Sequence, residues 1–252
     1  MKTTAHRGVS SIAPENTLAA FNLAKAYHCD WIEIDVQLSL DNIPMVIHDQ
    51  TIDRCSNGTG KVSSMTQAEL QTVDAGSWFG WEFNKETIPT LSETLELAKN
   101  NGTKVNIEIK AYPGDDAFVL CDQIKAVIVE SNIETSDLLF SSFDTDVLKY
   151  LGVIFPEIKR GQLWQHIPSN ASEVLLAVSA FSVHCDYRNL TDKQAKYIKL
   201  LGYELYCYTP NHPETVSDHW RWGVDMMITD RPQAYINEDT KSVINDYDLE
   251  VI

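Results

Sequence analysis

The chain has 252 residues and a formal net charge of −16, from 20 Lys and Arg against 36 Asp and Glu. That length is about 1.7 times a typical domain, which leaves one barrel-sized domain or two small ones open; a hydrophobic share of 44% supports a packed core and excludes a disordered chain. The acidic balance excludes a general basic surface for nucleic acid or anionic membranes, so any anionic ligand has to meet a local island of positive charge.

In chain order, short β-rich runs alternate with helical patterns. The start, Met1-Lys2-Thr3-Thr4-Ala5-His6-Arg7, shows no apolar stretch behind a basic flank, so no signal peptide is expected. A strand is expected at Thr3–His6, then a helix over Thr17–Tyr27 with Asn16 as its cap, then a strand at Trp31–Val36. A helix over Leu91–Asn100 stops at Asn101-Gly102, where glycine suits the left-handed end. Strands follow at Lys104–Lys110, Leu138–Phe143, Lys159–Trp164, Phe181–Asp186, Glu204–Thr209 and Met226–Thr229. Between and after them come helices at Asp115–Glu130, Asp144–Phe155, Ser169–Val178, Thr191–Leu201, Pro213–Arg221 and Pro232–Asn237.

Strand and helix repeated eight times predict an α/β fold, a single (β/α)8 TIM barrel, with a doubly wound open sheet as the alternative. One stretch, about 41–90, breaks the rhythm as an insertion after the second strand. It holds a short strand (Pro44–His48), a Gly/Ser/Asn-rich loop (Cys55–Ser64), a short helix (Thr66–Val73) and the aromatics Trp78, Phe79, Trp81 and Phe83. It is expected to lack a core of its own, so residues 1–252 read as one catalytic barrel domain with a peripheral acidic tail at 238–252. The most apolar stretch, Val174 to Phe181, is too short to span a bilayer. The five cysteines (Cys29, Cys55, Cys121, Cys185, Cys207) are scattered and form no CxxC pair. Reduced, partly buried thiols in a cytoplasmic protein are the expectation.

Chemistry in such barrels sits at the C-terminal strand ends. The first strand ends in His6-Arg7-Gly8. Strand alternation puts Glu33 and Asp35 on one face of Trp31-Ile32-Glu33-Ile34-Asp35-Val36, and Glu108 and Lys110 on one face of Asn106-Ile107-Glu108-Ile109-Lys110. Inward carboxylates are costly unless paired or metal-bound, and three that converge point to a hard divalent ion, Mg²⁺ or Ca²⁺. His48 closes an apolar run beside Asp49, a carboxylate able to orient its imidazole. The other histidines (His28, His166, His184, His212, His219) are read as structural or surface groups, His184 with least reason.

Several strings together resemble the glycerophosphodiester phosphodiesterase family, of the bacterial type. They are His6-Arg7-Gly8, Pro14-Glu15-Asn16-Thr17, Glu33-Ile34-Asp35-Val36, the run from Asp41 to Asp49, Glu108-Ile109-Lys110 and Ile228-Thr229-Asp230-Arg231-Pro232. The resemblance implies a (β/α)8 barrel, with Glu33, Asp35 and Glu108 as metal ligands, His6 and His48 as general acid and base, and Arg7 and Lys110 as phosphate-binding cations. It also implies hydrolysis of a small-molecule glycerophosphodiester to sn-glycerol 3-phosphate and an alcohol. The attacking group is left open between water and the glycerol 2-hydroxyl. Two departures stand out. Ser39-Leu40-Asp41-Asn42 replaces the family's Thr-x-Asp-Gly, and Asn tolerates the same left-handed turn. Tyr208-Thr209-Pro210-Asn211 replaces Trp-Thr-x-Asn, which changes the aromatic wall over the substrate. Phe143, Trp164 and Tyr208 are the candidate pocket residues. Competing readings are a lysophospholipase D or sphingomyelinase D-like activity on the same fold, a Schiff-base aldolase using Lys110, and a binding module without catalysis. The aromatic insertion is a candidate lid, substrate cap or dimer contact, which leaves a homo-oligomer open.

Overall fold

The computed structural model describes residues 2–236. Eight parallel strands close into a barrel: β1 (Thr3–His6), β2 (Trp31–Leu38), β4 (Lys104–Ile109), β5 (Leu138–Ser142), β6 (Lys159–Trp164), β7 (Ser182–Asp186), β8 (Glu204–Tyr208) and β9 (Met226–Thr229). β1 pairs with both β9 and β2, which joins the two edges. The short β3 (Pro44–Val46) belongs to the insertion and runs antiparallel to β2, with Val36 opposite Val46. The closed barrel rules out the open-sheet alternative.

Helices connect the strands: α1 (Leu18–Ala26), α3 (Leu91–Asn101), α4 (Ala117–Ser131), α5 (Thr145–Ile154), α6 (Ala171–Ala177), α7 (Asp192–Leu200) and α8 (Ser217–Trp222), while α2 (Gln67–Leu70) lies in the insertion. Local chemistry sets their ends. Thr90 and Glu93 form a reciprocal capping box at the start of α3, and Gly102 ends it at φ 68. Thr17, not Asn16, caps α1; Asn16 sits in the left-handed region at φ 56 and uses its side chain elsewhere. Asn42 also adopts positive φ, at 61, as its turn requires. After β9 the described chain makes only a 3-10 turn, Pro232–Tyr235, where a helix to residue 237 was expected; the acidic tail at 238–252 lies outside the described residues.

The outward faces of the strands bury Ile32, Ile34, Ile107, Ile109 and Phe140 against α1, α3, α4 and α5. Each such side chain contributes about 1.5–3 kcal/mol relative to exposure. A second cluster, around Val183, Leu205, Cys207 and Ile198, packs β7 and β8 against α7 and α8. The insertion differs from expectation, because Met45, Ile47, Ile52, Val62, Leu70, Ala75 and Ile88 form a small apolar cluster there. Met45 and Ile47 belong to the expected short strand, but the other five are scattered along the sequence, so no single period announces the cluster. The insertion remains tied to the barrel through β3 and through Phe83, which joins the main core. All five cysteines are buried and unpaired. Among the described residues no helix is long and apolar enough to cross a membrane.

Candidate active site

The site starts at the turn after β1. Arg7 takes a left-handed backbone, φ 56, and Gly8 follows at φ 80. A Cβ on Gly8 would stand 2.6 Å from the backbone of Ala20, so the close approach of this turn to α1 requires glycine. The turn aims the Arg7 backbone N–H at Glu33 Oε2, 3.1 Å away. A non-glycine residue held in this conformation is the kind of backbone cost that concentrates at functional sites.

β2 and β4 supply the carboxylates. Their register sets Asp35 opposite Glu108 and Glu33 opposite Asn106. One oxygen from each of Glu33, Asp35 and Glu108 lies within 4.8 Å of the other two. Lys110 Nζ stands 2.7 Å from Glu108 Oε1 and 3.4 Å from Asp35 Oδ1, and Arg7 Nε stands 3.1 Å from Asp35 Oδ2. Asn16 Nδ2 donates to Asp35 Oδ2 at 2.9 Å. Three carboxylates therefore face two cations. Burial, and then the charges of Asp35 and Glu108, push the Glu33 carboxyl well above the usual carboxylate range. Burial opposes ionisation of Asp35 as well, but Arg7 and Lys110 outweigh it and hold that carboxyl low. Glu33 Oε1 and Asp35 Oδ1 are buried without a hydrogen-bond donor. Unmatched buried carboxylate oxygens, all hard ligands at short mutual range, fit a divalent cation of the Mg²⁺ or Ca²⁺ kind.

Each histidine is braced at Nδ1 by a carboxylate. His6 Nδ1 is 2.6 Å from Asp230 Oδ1, and Asp230 also accepts from Ser10 Oγ at 3.0 Å and Asn211 Nδ2 at 2.7 Å. Burial works against the Asp230 carboxylate, but these hydrogen bonds prevail and hold it at about 2. His48 Nδ1 is 2.6 Å from Asp49 Oδ1, the orienting carboxylate expected from the sequence. The Tyr112 hydroxyl donates to the His48 carbonyl and pins the backbone beneath the ring. In each pair a ring Nδ1–H can donate to the carboxylate, which leaves Nε2 as the ring nitrogen free to exchange a proton with a ligand.

These side chains meet in one cavity of about 150 Å³ at the C-terminal end of the barrel, lined by His6, Arg7, Glu33, His48, Glu108 and Lys110; Asp35, outside the lining, contacts Arg7 and Lys110. Phe143 and Tyr208 form part of its wall, with ring centroids 6.3 Å apart. Trp164 does not line it. Strand alternation turns Leu163 inward, and Trp164 packs outside with the second apolar cluster, while its carbonyl accepts from the Tyr208 hydroxyl at 3.0 Å. His184 lies fully buried in the cavity wall, where burial pushes its pKa down to about 3. From the sequence, Asp230 and Asn211 carry no expected role and Asn16 only that of a helix cap. Asp230 and Asn16 sit inside strings that carry the family resemblance, and those strings were the available signal.

The sequence matches the Glycerophosphoryl diester phosphodiesterase family over residues 6–234. The chain belongs to that family. A glycerophosphodiester phosphodiesterase from Caldanaerobacter subterraneus subsp. tengcongensis is 38% identical, over 94% of this chain and 98% of that one. A phosphodiesterase from Oleispira antarctica, solved in complex with the product sn-glycerol-3-phosphate, superposes with a TM-score of 0.88 at 34% identity and covers 97% of this chain and 96% of its own. A glycerophosphodiester phosphodiesterase from Agrobacterium tumefaciens superposes with a TM-score of 0.78 at 29% identity, covering 93% of this chain and 98% of that one. The chain is thus an enzyme of the phosphoric diester hydrolase class, built on the (β/α)8 barrel that its sequence predicts.

Proposed function

We propose that this enzyme hydrolyses glycerophosphodiesters to sn-glycerol 3-phosphate and an alcohol, with a divalent cation held by Glu33, Asp35 and Glu108 and with His6 and His48 as the acid–base pair. The observation that carries the reading is the sharing of one cavity by two carboxylate-braced histidines and the three carboxylates. A phosphodiester is a monoanion that gathers charge on its non-bridging oxygens in the transition state, and the cation supplies electrostatic stabilisation of that charge. Arg7 orients the phosphate through its planar fork and Lys110 adds a point charge. One histidine takes the proton of the attacking hydroxyl at Nε2, and the other gives its Nε2 proton to the leaving alkoxide. Among the described residues, Glu33, Asp35 and Glu108 are the one acidic group placed to hold a metal ion, and it lies at this mouth.

The aldolase reading loses ground on the same geometry. Burial favours a neutral Lys110, but Asp35 and Glu108 outweigh it and raise the ammonium above its usual range, whereas a Schiff-base lysine needs a free amine. We further propose a single domain, a small water-soluble substrate and a cytoplasmic setting, supported by the small cavity and the reduced cysteines. The test is release of sn-glycerol 3-phosphate from glycerophosphocholine and glycerophosphoethanolamine by the wild type, His6→Ala and His48→Ala. The reading expects that product from the wild type and a loss of about 10²–10⁴-fold in each variant. Release of free glycerol with phosphocholine, or full activity in both variants, contradicts it.

A further inference from the structure

Arg54 lies in the insertion, outside the cavity lining, and has no part in the reaction scheme above. Its guanidinium sits between two carboxylates and grips both. Nε is 2.6 Å from Asp49 Oδ2 and Nη2 is 3.0 Å from Asp49 Oδ1. Nη1 is 2.7 Å from Glu15 Oε2 and Nη2 is 2.9 Å from Glu15 Oε1. Each carboxylate has a second partner in the site. Asp49 Oδ1 braces His48 Nδ1 at 2.6 Å, and Glu15 Oε1 accepts from Arg7 Nη1 at 2.7 Å. Arg54 therefore stands one residue away from an acid–base histidine and one residue away from the phosphate-binding arginine.

An ion pair on a half-exposed side chain ordinarily does little, and the Arg54 side chain is 46% exposed. Two features set this one apart. The fork is used on both sides, which only a planar guanidinium achieves. Without it, Asp49 keeps His48 as its one side-chain partner, and Glu15 keeps Arg7. Both carboxylates would then be free to follow their partners, and neither would hold them.

We propose that Arg54 is a positioning residue for the hydrolysis: through Asp49 and Glu15 it locks His48 and Arg7 into one array and so couples the insertion to the reacting centre. This rests on the roles given to His48 and Arg7 above. A shell of outer partners of this kind typically changes activity by about 10- to 100-fold when removed.

The experiment measures kcat and KM for glycerophosphocholine, with thermal unfolding in parallel, for the wild type, Arg54→Ala, Arg54→Lys, Asp49→Asn and the Arg54→Ala/Asp49→Asn double variant. The expected result is a fall in kcat of about 10- to 100-fold in Arg54→Ala. Arg54→Lys recovers little of it, since an ammonium cannot span both carboxylates. Millimolar methylguanidinium restores kcat in Arg54→Ala and leaves the wild type unchanged. The double variant loses less than the product of the two single losses, because both act on one array. A kcat for Arg54→Ala within twofold of the wild type overturns the proposal. So does full rescue by Lys, or strictly multiplicative losses in the double variant. If Arg54→Ala fails to fold, Arg54→Lys, Asp49→Asn and an added Arg54→Lys/Asp49→Asn double variant decide by the same criterion. An inactive wild type would instead refute the underlying functional reading.

Discussion

The same strands build two very different barrel ends. At the base, the inward positions are Trp31 on β2, Leu139 on β5, Tyr206 on β8 and Met226 on β9, an apolar plug with Lys104 over Trp31 and Lys159 over Phe181. Two or four residues further along, β2 turns Glu33 and Asp35 inward, β5 turns Ser141 and β8 turns Tyr208. The period of the strand is unchanged; only the chemistry of the inward positions switches, from groups that gain by leaving water to groups that lose by it. The basal end buries apolar side chains, while the upper end carries carboxylates whose burial has to be offset by cations, Arg7 and Lys110 among them. Stability and activity should therefore separate along single strands.

The largest expected effect is at the top. Glu33→Gln removes a ligand charge without changing shape, and activity should fall by at least about 10³-fold, roughly 4 kcal/mol of transition-state stabilisation. Its urea-unfolding midpoint should stay level or rise, because the cost of burying an ionisable carboxyl beside Asp35 and Glu108 is removed. A fall in stability that parallels the loss of activity would break the comparison. Leu139→Ala, a truncation at the base, should do the converse: about 2–5 kcal/mol of stability lost in urea melts, with kcat within a few-fold of the wild type.

Asp230→Asn sharpens the comparison within the upper end. It removes the carboxylate behind His6 but keeps the volume, so kcat should fall about 10²-fold with KM little changed. An unaltered kcat would show that the brace is dispensable. The smallest effect concerns His184, whose folded pKa of about 3 lies below its ordinary 6.5. The unfolded chain takes up that proton first as pH falls. The contribution of His184 is complete above about pH 6.5 and is lost as pH drops towards 3, so stability should decline by about 2 kcal/mol between pH 7 and 5 from this group. Denaturant midpoints for the wild type and His184→Gln check it, and an identical slope in both removes His184 as the cause.

The sequence made the barrel legible because inward and outward positions alternate so regularly in β2 and β4, and because capping residues such as Thr90 and stops such as Gly102 have strong local signals. The three carboxylates were legible for the same reason, as the pair Glu33 and Asp35 and the pair Glu108 and Lys110, each at strand spacing. What escaped depended on distance along the chain. Asp230 meets His6 across 224 positions, Asn16 spends its side chain on Asp35 rather than on a cap, and Arg54 touches Glu15 across 39 positions. Trp164 shows the opposite failing, since a strand-end aromatic offers no local clue to its face unless register is counted from Leu163. The apolar cluster of the insertion likewise forms from residues that no single period connects.

The role proposed for the carboxylate triad is to hold a divalent cation. It is tested most directly by following sn-glycerol 3-phosphate release from glycerophosphocholine after EDTA treatment and gel filtration, then after return of Mg²⁺ or Ca²⁺. The stripped protein should lose its activity, one of these ions should restore it, and Glu33→Gln should respond to neither. Undiminished turnover in the stripped protein would contradict it.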